Sequence, residues 1–130
     1  MIYIVGERIG TGRSRSKLAD LFGVPEDEMM AQAVWVNLWD YPGGVAANYA
    51  HAIEQAAQSS DAVILLGRKV ADVFALGDRD PLTEIVRNGG VGPTVLLLPH
   101  PSGLNRWYND EASETAAREA LHRVWVRSTL

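Results

Sequence analysis

Four short runs, Ile2–Val5, Ala33–Asn37, Ala62–Leu66 and Thr94–Leu98, are rich in β-branched and aliphatic residues and carry almost nothing that water would hold. A strand with one wet face alternates apolar and polar positions. A run that stays apolar at successive positions must be covered on both sides, as in a parallel sheet whose crossovers lay helices on each face. Helical spacing fills the intervals: Ser14–Phe22 aligns Leu18, Leu21 and Phe22, Val45–Gln58 aligns Ala46, Tyr49, Ala50, Ile53 and Ala57, and Lys69–Leu76 follows the third run. Pro81–Val86 reads as a short extra helical piece. A last helix over Glu111–Arg127 opens after Asn109–Asp110, which can cap its free N–H groups, and stacks Ala116, Ala120, Leu121, Val124 and Trp125 along one side. The order βαβαβαβα predicts an α/β chain, a three-layer α/β/α sandwich on a four-stranded parallel sheet with right-handed crossovers.

With 130 residues, 47% of them hydrophobic, and no Pro/Gly/Ser-rich linker or long charge run, residues 1–130 are expected to form one domain. The chain has no cysteine, which excludes disulfides, thiolate zinc and cysteine-held iron–sulfur clusters. Its three histidines are scattered, so no metal and no cofactor is expected. No apolar run approaches the roughly 20 residues of a membrane span, and "MIYIV" opens directly as a strand. The expectation is a cytoplasmic monomer with no membrane partner. A formal charge of −4 speaks against a nucleic-acid partner, yet the basic residues gather locally: Arg8, Arg13, Arg15 and Lys17 in one stretch, Arg68 and Lys69 in a second, Arg106 in a third. Acidic residues concentrate at 26–28, 78–84 and 110–119, so a basic face on an acidic body is compatible with the total.

In open α/β sheets the ligand site lies beyond the carboxyl ends of the strands, near the point where strand order reverses. Four segments follow those ends here: "GERIGTGRS", "NLWDYPGG", "GRK" and "PHPSGLNRWYND". The first lacks the Lys-Ser/Thr of a P-loop, and counting from Gly10 and Gly12 the third glycine of a dinucleotide fingerprint falls on Arg15. A tight strand-to-helix turn accounts for the glycines. It does not account for Glu7, whose carboxylate falls at the floor of the cleft. Asn37 ends the second strand, where its amide either caps the neighbouring turn or reads the edge of a planar polar ligand. His100 sits between Pro99 and Pro101, which restrict the backbone on either side and hold the imidazole in place. After it come Ser102, Leu104, Asn105, Arg106 and Trp107, an interleaving of basic and aromatic residues that suits nucleic acid: Leu104 or Trp107 to wedge or stack, Arg106 to hold phosphate. Trp35 and Trp125 read as core, while Trp39 and Tyr41 stay open.

Taken in order, these segments resemble the uracil-DNA glycosylase superfamily. "VGERIG" looks like its first motif in the version whose acidic residue is Glu, "VWVNL" like the strand ending in a base-reading Asn, and "AVILLGRKVA" like the following strand-Leu-Gly-helix segment. "LPHPSGLNRWYND" resembles the His-Pro-Ser motif and the DNA-inserting loop, in the form found in small phage and bacterial members. The resemblance implies an enzyme of DNA repair or modification that flips a nucleotide out of single- or double-stranded DNA and hydrolyses the bond between base and deoxyribose. It implies Glu7 and His100 as catalytic residues, the first positioning water and favouring the sugar cation, the second donating to the departing base. Gly6, Asn37, Trp39 and Tyr41 would bind the base. Arg13, Arg15, Arg68, Lys69, Ser102, Leu104, Asn105, Arg106 and Trp107 would meet the DNA. The chain departs from the family in having no aromatic in "TGRSRSK" to stack on the flipped base, so either Trp39 or Tyr41 substitutes or the pocket is more open. Two rivals belong to other classes: a non-catalytic DNA- or protein-binding module of the same fold, and a Rossmann-like nucleotide binder with phosphate on the Gly10–Gly12 loop.

Overall fold

The computed structural model describes residues 1–7, 12–38, 53–86, 93–101 and 106–129. Its elements are β1 (Ile2–Gly6), α1 (Gly12–Phe22), α2 (Glu26–Gln32), β2 (Ala33–Asn37), β3 (Ala62–Leu66), α3 (Arg68–Val73), β4 (Glu84–Val86), β5 (Thr94–Leu98) and α4 (Glu111–Thr129). The chain is therefore α/β, with one mixed five-stranded sheet in the order β2-β1-β3-β5-β4.

All four expected strands form and lie parallel: Ile2 pairs with Ala33 on one side and Ala62 on the other, and Ala62 pairs in turn with Thr94. Alternation along them divides their side chains between two cores. Ile2, Ile4, Ile64, Leu66, Leu96 and Leu98 meet Leu18 and Leu21 of α1, Met29 of α2 and Leu121 and Val124 of α4. Val5, Val63, Leu65, Val95 and Leu97 meet Ile53, Ala57, Val70 and Ala71 instead. Both faces of β3 and β5 are buried and those of β1 nearly so, which is why these strands carry no polar alternation, while the edge strand β2 is half-buried.

The expectation of four strands is corrected by β4, which pairs antiparallel with β5, Ile85 opposite Val95. Residues 81–86 are accordingly not helical. Pro81 occupies the second position of a β-turn closed by the Thr83 N–H on the Asp80 carbonyl at 3.2 Å, and Leu82 follows in the left-handed region at φ 65°. Leu82 N–H and Thr83 C=O both bond Leu97, so two residues oppose one, a bulge whose first position usually takes glycine. Leucine there costs about 1–3 kcal/mol of backbone strain. Its half-buried side chain packs against the first core and offsets that cost.

Helix α2 was not anticipated. Pro25 stands at its N-cap with extended backbone, and Glu26, Asp27 and Glu28 fill its first turn, where the helix dipole favours negative charge. At α4 the anticipated cap is present: the Asp110 carboxylate accepts from the Ser113 N–H at 3.2 Å and its hydroxyl at 2.8 Å. Helices α1 and α4 are joined at the surface by Lys17–Glu114 at 3.2 Å and Arg118–Asp20 at 2.8 Å, linked within α4 by Arg118–Glu114 at 2.9 Å. Lys17, then Arg118, hold the Glu114 carboxyl below its ordinary range. That contribution is present above the ordinary carboxylate pKa and is lost as pH falls through the lowered one; in so exposed a network it is small. Of the Val45–Gln58 helix, residues 53–56 are helical and Ala57–Ser59 forms a 3-10 turn, the remainder lying outside the described residues. Among the described residues no helix is long and apolar enough to cross a membrane.

Candidate functional site

The chain order reverses between β1 and β3: the connection from β1 runs outward to β2, that from β3 outward to β5. The carboxyl ends of β1 and β3 therefore border the crevice where α/β sheets bind ligands. Gly6 ends β1 and Gly67 follows β3, and each lies under a polar side chain from the next strand outward.

At the first of these positions Gly6 pairs in register with Asn37. A Cβ on Gly6 would sit 2.9 Å from Asn37 Oδ1 and 3.5 Å from Trp35 Nε1, so only glycine lets the amide lie across the end of β1. The Trp35 indole N–H donates to Asn37 Oδ1 at 3.0 Å. Since an indole N–H can only donate, the oxygen end of the amide must face Trp35, which leaves the NH₂ end as the donor available to a ligand. Arg15 of α1 lays its guanidinium over the Trp35 ring, 5.8 Å from the centroid. Trp35, expected as plain core, is half-buried and orients the candidate base reader. A signal was present in the sequence, because Trp35 and Asn37 are two apart and share a strand face. Gly6→Ala should push Asn37 aside and break this bond, costing about 1–3 kcal/mol in a denaturant titration and changing Trp35 fluorescence.

At the second position Gly67 has φ 92°, a conformation that L side chains rarely adopt, and donates its N–H to the Leu98 carbonyl at 2.8 Å. A Cβ there would lie 3.4 Å from His100 Cβ, so the histidine packs directly over the end of β3. Pro99 and Pro101 flank it as expected, and a further tie closes the loop: the buried Tyr108 hydroxyl donates to the Pro99 carbonyl, and the Trp107 and Tyr108 rings meet edge to face at 4.9 Å. Burial pushes the Tyr108 phenol well above its ordinary value of 10.0.

His100, Arg68 and Trp107 share a cleft of about 490 Å³, whose opposite wall is the turn Asp78–Pro81. Gly6, Glu7 and Asn37 do not line it. From β2 to β5 is three strand spacings, about 14 Å, so Asn37 and His100 flank the ends of β1 and β3 from opposite sides. Glu7 follows Gly6 and is half-buried. Arg68 and Lys69 are exposed at the start of α3, Arg106 is exposed in the 3-10 turn Arg106–Asn109, and Trp107 is half-buried against the first core. Arg13 lies in α1. Trp39, Tyr41, Ser102, Leu104, Asn105 and the Gly10 end of the glycine-rich loop lie outside the described residues. The turn at 78–81 went unnoticed in the sequence, where it registered only as part of an acidic stretch. Among the described residues, no three His, Asp or Glu side chains are grouped to hold a metal ion. Comparison with family models, with curated proteins and with solved structures gave no match.

Proposed function

We propose that the chain is a DNA glycosylase-like enzyme of the uracil-DNA glycosylase superfamily, an α/β/α sandwich that hydrolyses the bond between deoxyribose and uracil or a related modified base. The observation that carries this reading is the pair of strand ends at the switch point, each closed by a glycine beneath a polar side chain: Gly6 under Asn37 and Gly67 under His100. A flipped base would lie over the ends of β1 and β3. Asn37 would meet its edge NH₂ end first, because Trp35 holds the oxygen. A fixed amide donor favours bases with a carbonyl at that edge, such as uracil, hypoxanthine and xanthine, over those with an amino group there.

In the reaction the C1′–N bond breaks and the base leaves with the bonding electrons, while charge builds as an anion on the base and a cation on the sugar. His100 donates to the developing oxyanion of the base; Glu7 stabilises the sugar cation, aligns the attacking water and takes its proton as the new C1′–O bond forms. Exposed Arg68, Lys69 and Arg106 are available to phosphates. The test is a panel of single-stranded and duplex oligonucleotides carrying uracil, hypoxanthine, xanthine, hydroxymethyluracil or unmodified cytosine, scored for abasic sites beside a Glu7→Ala control. Cleavage confined to keto bases and lost in the control is the expected result. An absence of abasic product from every substrate would end this reading.

A further inference from the structure

We infer that the cleft beside His100 is a binding site for a free nucleoside monophosphate, separate from the base-reading corner at Asn37. Its volume of about 490 Å³ suits a small ligand. The strand ends Leu65, Leu97 and Leu98 give it an apolar floor, and Pro99, Pro81 and Trp107 supply flat surfaces against which a heterocycle can stack. Four charged side chains stand around this apolar space: Arg68 and Arg79, Asp78 and Asp80. All four are exposed, and none forms an ion pair among the described residues.

The wall that carries three of them is built to keep its shape. The Arg79 N–H bonds the Leu76 carbonyl at 3.1 Å, the Thr83 hydroxyl bonds the Asp80 carbonyl at 2.6 Å, and the Leu82 N–H pins the turn to Leu97 of β5 at 2.7 Å. Arg79 and its two carboxylate neighbours are thus presented by a rigid turn over the end of the sheet.

Charge balance selects the ligand. Two arginines against two aspartates give no net attraction for a continuing phosphodiester strand, whose binding depends on a local basic surplus. A mononucleotide presents one anionic end and a hydroxyl-bearing middle. The guanidiniums of Arg68 and Arg79 match the phosphate, and the Asp78 and Asp80 carboxylates, which only accept, match the sugar hydroxyls. The base then stacks in the apolar part of the cleft. Neither Glu7 nor Asn37 lines it, so the inference does not rest on base excision, but His100 and Arg68 do, so a mononucleotide and a DNA strand compete for those two side chains.

The test is calorimetric titration of the protein with AMP, with a single-stranded dT oligonucleotide as the competing ligand. Saturable AMP binding is expected, tenfold or more weaker in Arg79→Gln and in Arg68→Gln and unchanged in Glu7→Ala, since Glu7 does not line the cleft. Asp78→Asn/Asp80→Asn should weaken AMP and strengthen the oligonucleotide. Failure of AMP to bind, or equal binding by Arg79→Gln, would overturn the inference. Loss of base excision with AMP binding intact would strike the proposed function alone.

Discussion

If the chain excises bases as proposed, His100→Ala is expected to lower that rate about 10²–10³-fold, equivalent to about 2.7–4 kcal/mol of barrier, in line with the removal of one preorganised donor to a developing oxyanion. The alanine keeps the Cβ that packs 3.4 Å from the Cβ position of Gly67, so the loss is of the imidazole and not of the loop's seat on β3. Single-turnover abasic-site formation should therefore fall, and thermal unfolding measured beside it separates lost chemistry from lost structure. Because the donor acts on charge that exists only in the transition state, kcat and kcat/KM should drop together. A variant that retained the full rate would remove His100 from the chemistry.

The largest expected effect on stability is at Tyr108. Its ring is 6% exposed, its hydroxyl holds the Pro99 carbonyl, its ring meets Trp107, and Lys17 Nζ lies 5.5 Å from its centroid. Tyr108→Ala should cost about 3–5 kcal/mol, the range for emptying a buried aromatic site. Tyr108→Phe keeps the volume and removes only the donor to Pro99, which should cost about 1–3 kcal/mol. Urea titrations of the three proteins separate the two contributions. The phenol also ties stability to alkaline pH. Its folded-state pKa is raised by burial, so the neutral form is the one that folds, its contribution is complete below the ordinary value of 10.0, and it is lost as pH climbs beyond that. Tyr108→Phe should lack this share of the alkaline loss.

How far the sequence could be read follows from what each element needs. β1, β3 and β5 were legible because burial on both faces leaves a continuous apolar run, a signal that sits within five residues and needs no partner to interpret, and β2, half-buried at the edge, carries the same apolar run. β4 was not legible. It has three residues, and the preceding Pro81 looks equally like a helix start until the left-handed Leu82 and the pairing to β5 are known. α2 was missed because Glu26–Glu28 registered as charge, although Pro25 followed by acids is also what a helix N-terminus prefers. The positions of Asn37 and His100 at strand ends were legible from strand boundaries alone. The Trp35 bond was legible as well, since Trp35 and Asn37 stand two apart on one strand face; the glycines beneath Asn37 and His100 and the wall at Asp78–Asp80 depend on neighbours brought together across the sheet, 31 positions apart for Gly6 and Asn37, and pattern within one segment contains no such information.

The place of β1 inside the sheet, with a partner strand on either side, has a consequence for how the protein is made. Of these strands β1 is made before its neighbours and cannot be flanked on its second side until Ala62–Leu66 has emerged, and β3 itself waits for Thr94–Leu98. The residues up to Leu98 must all be made before β3 is flanked on both sides. Assembly is therefore late and dominated by distant pairings, the kind of topology that folds slowly and leaves nascent chains dependent on holding factors in the interval.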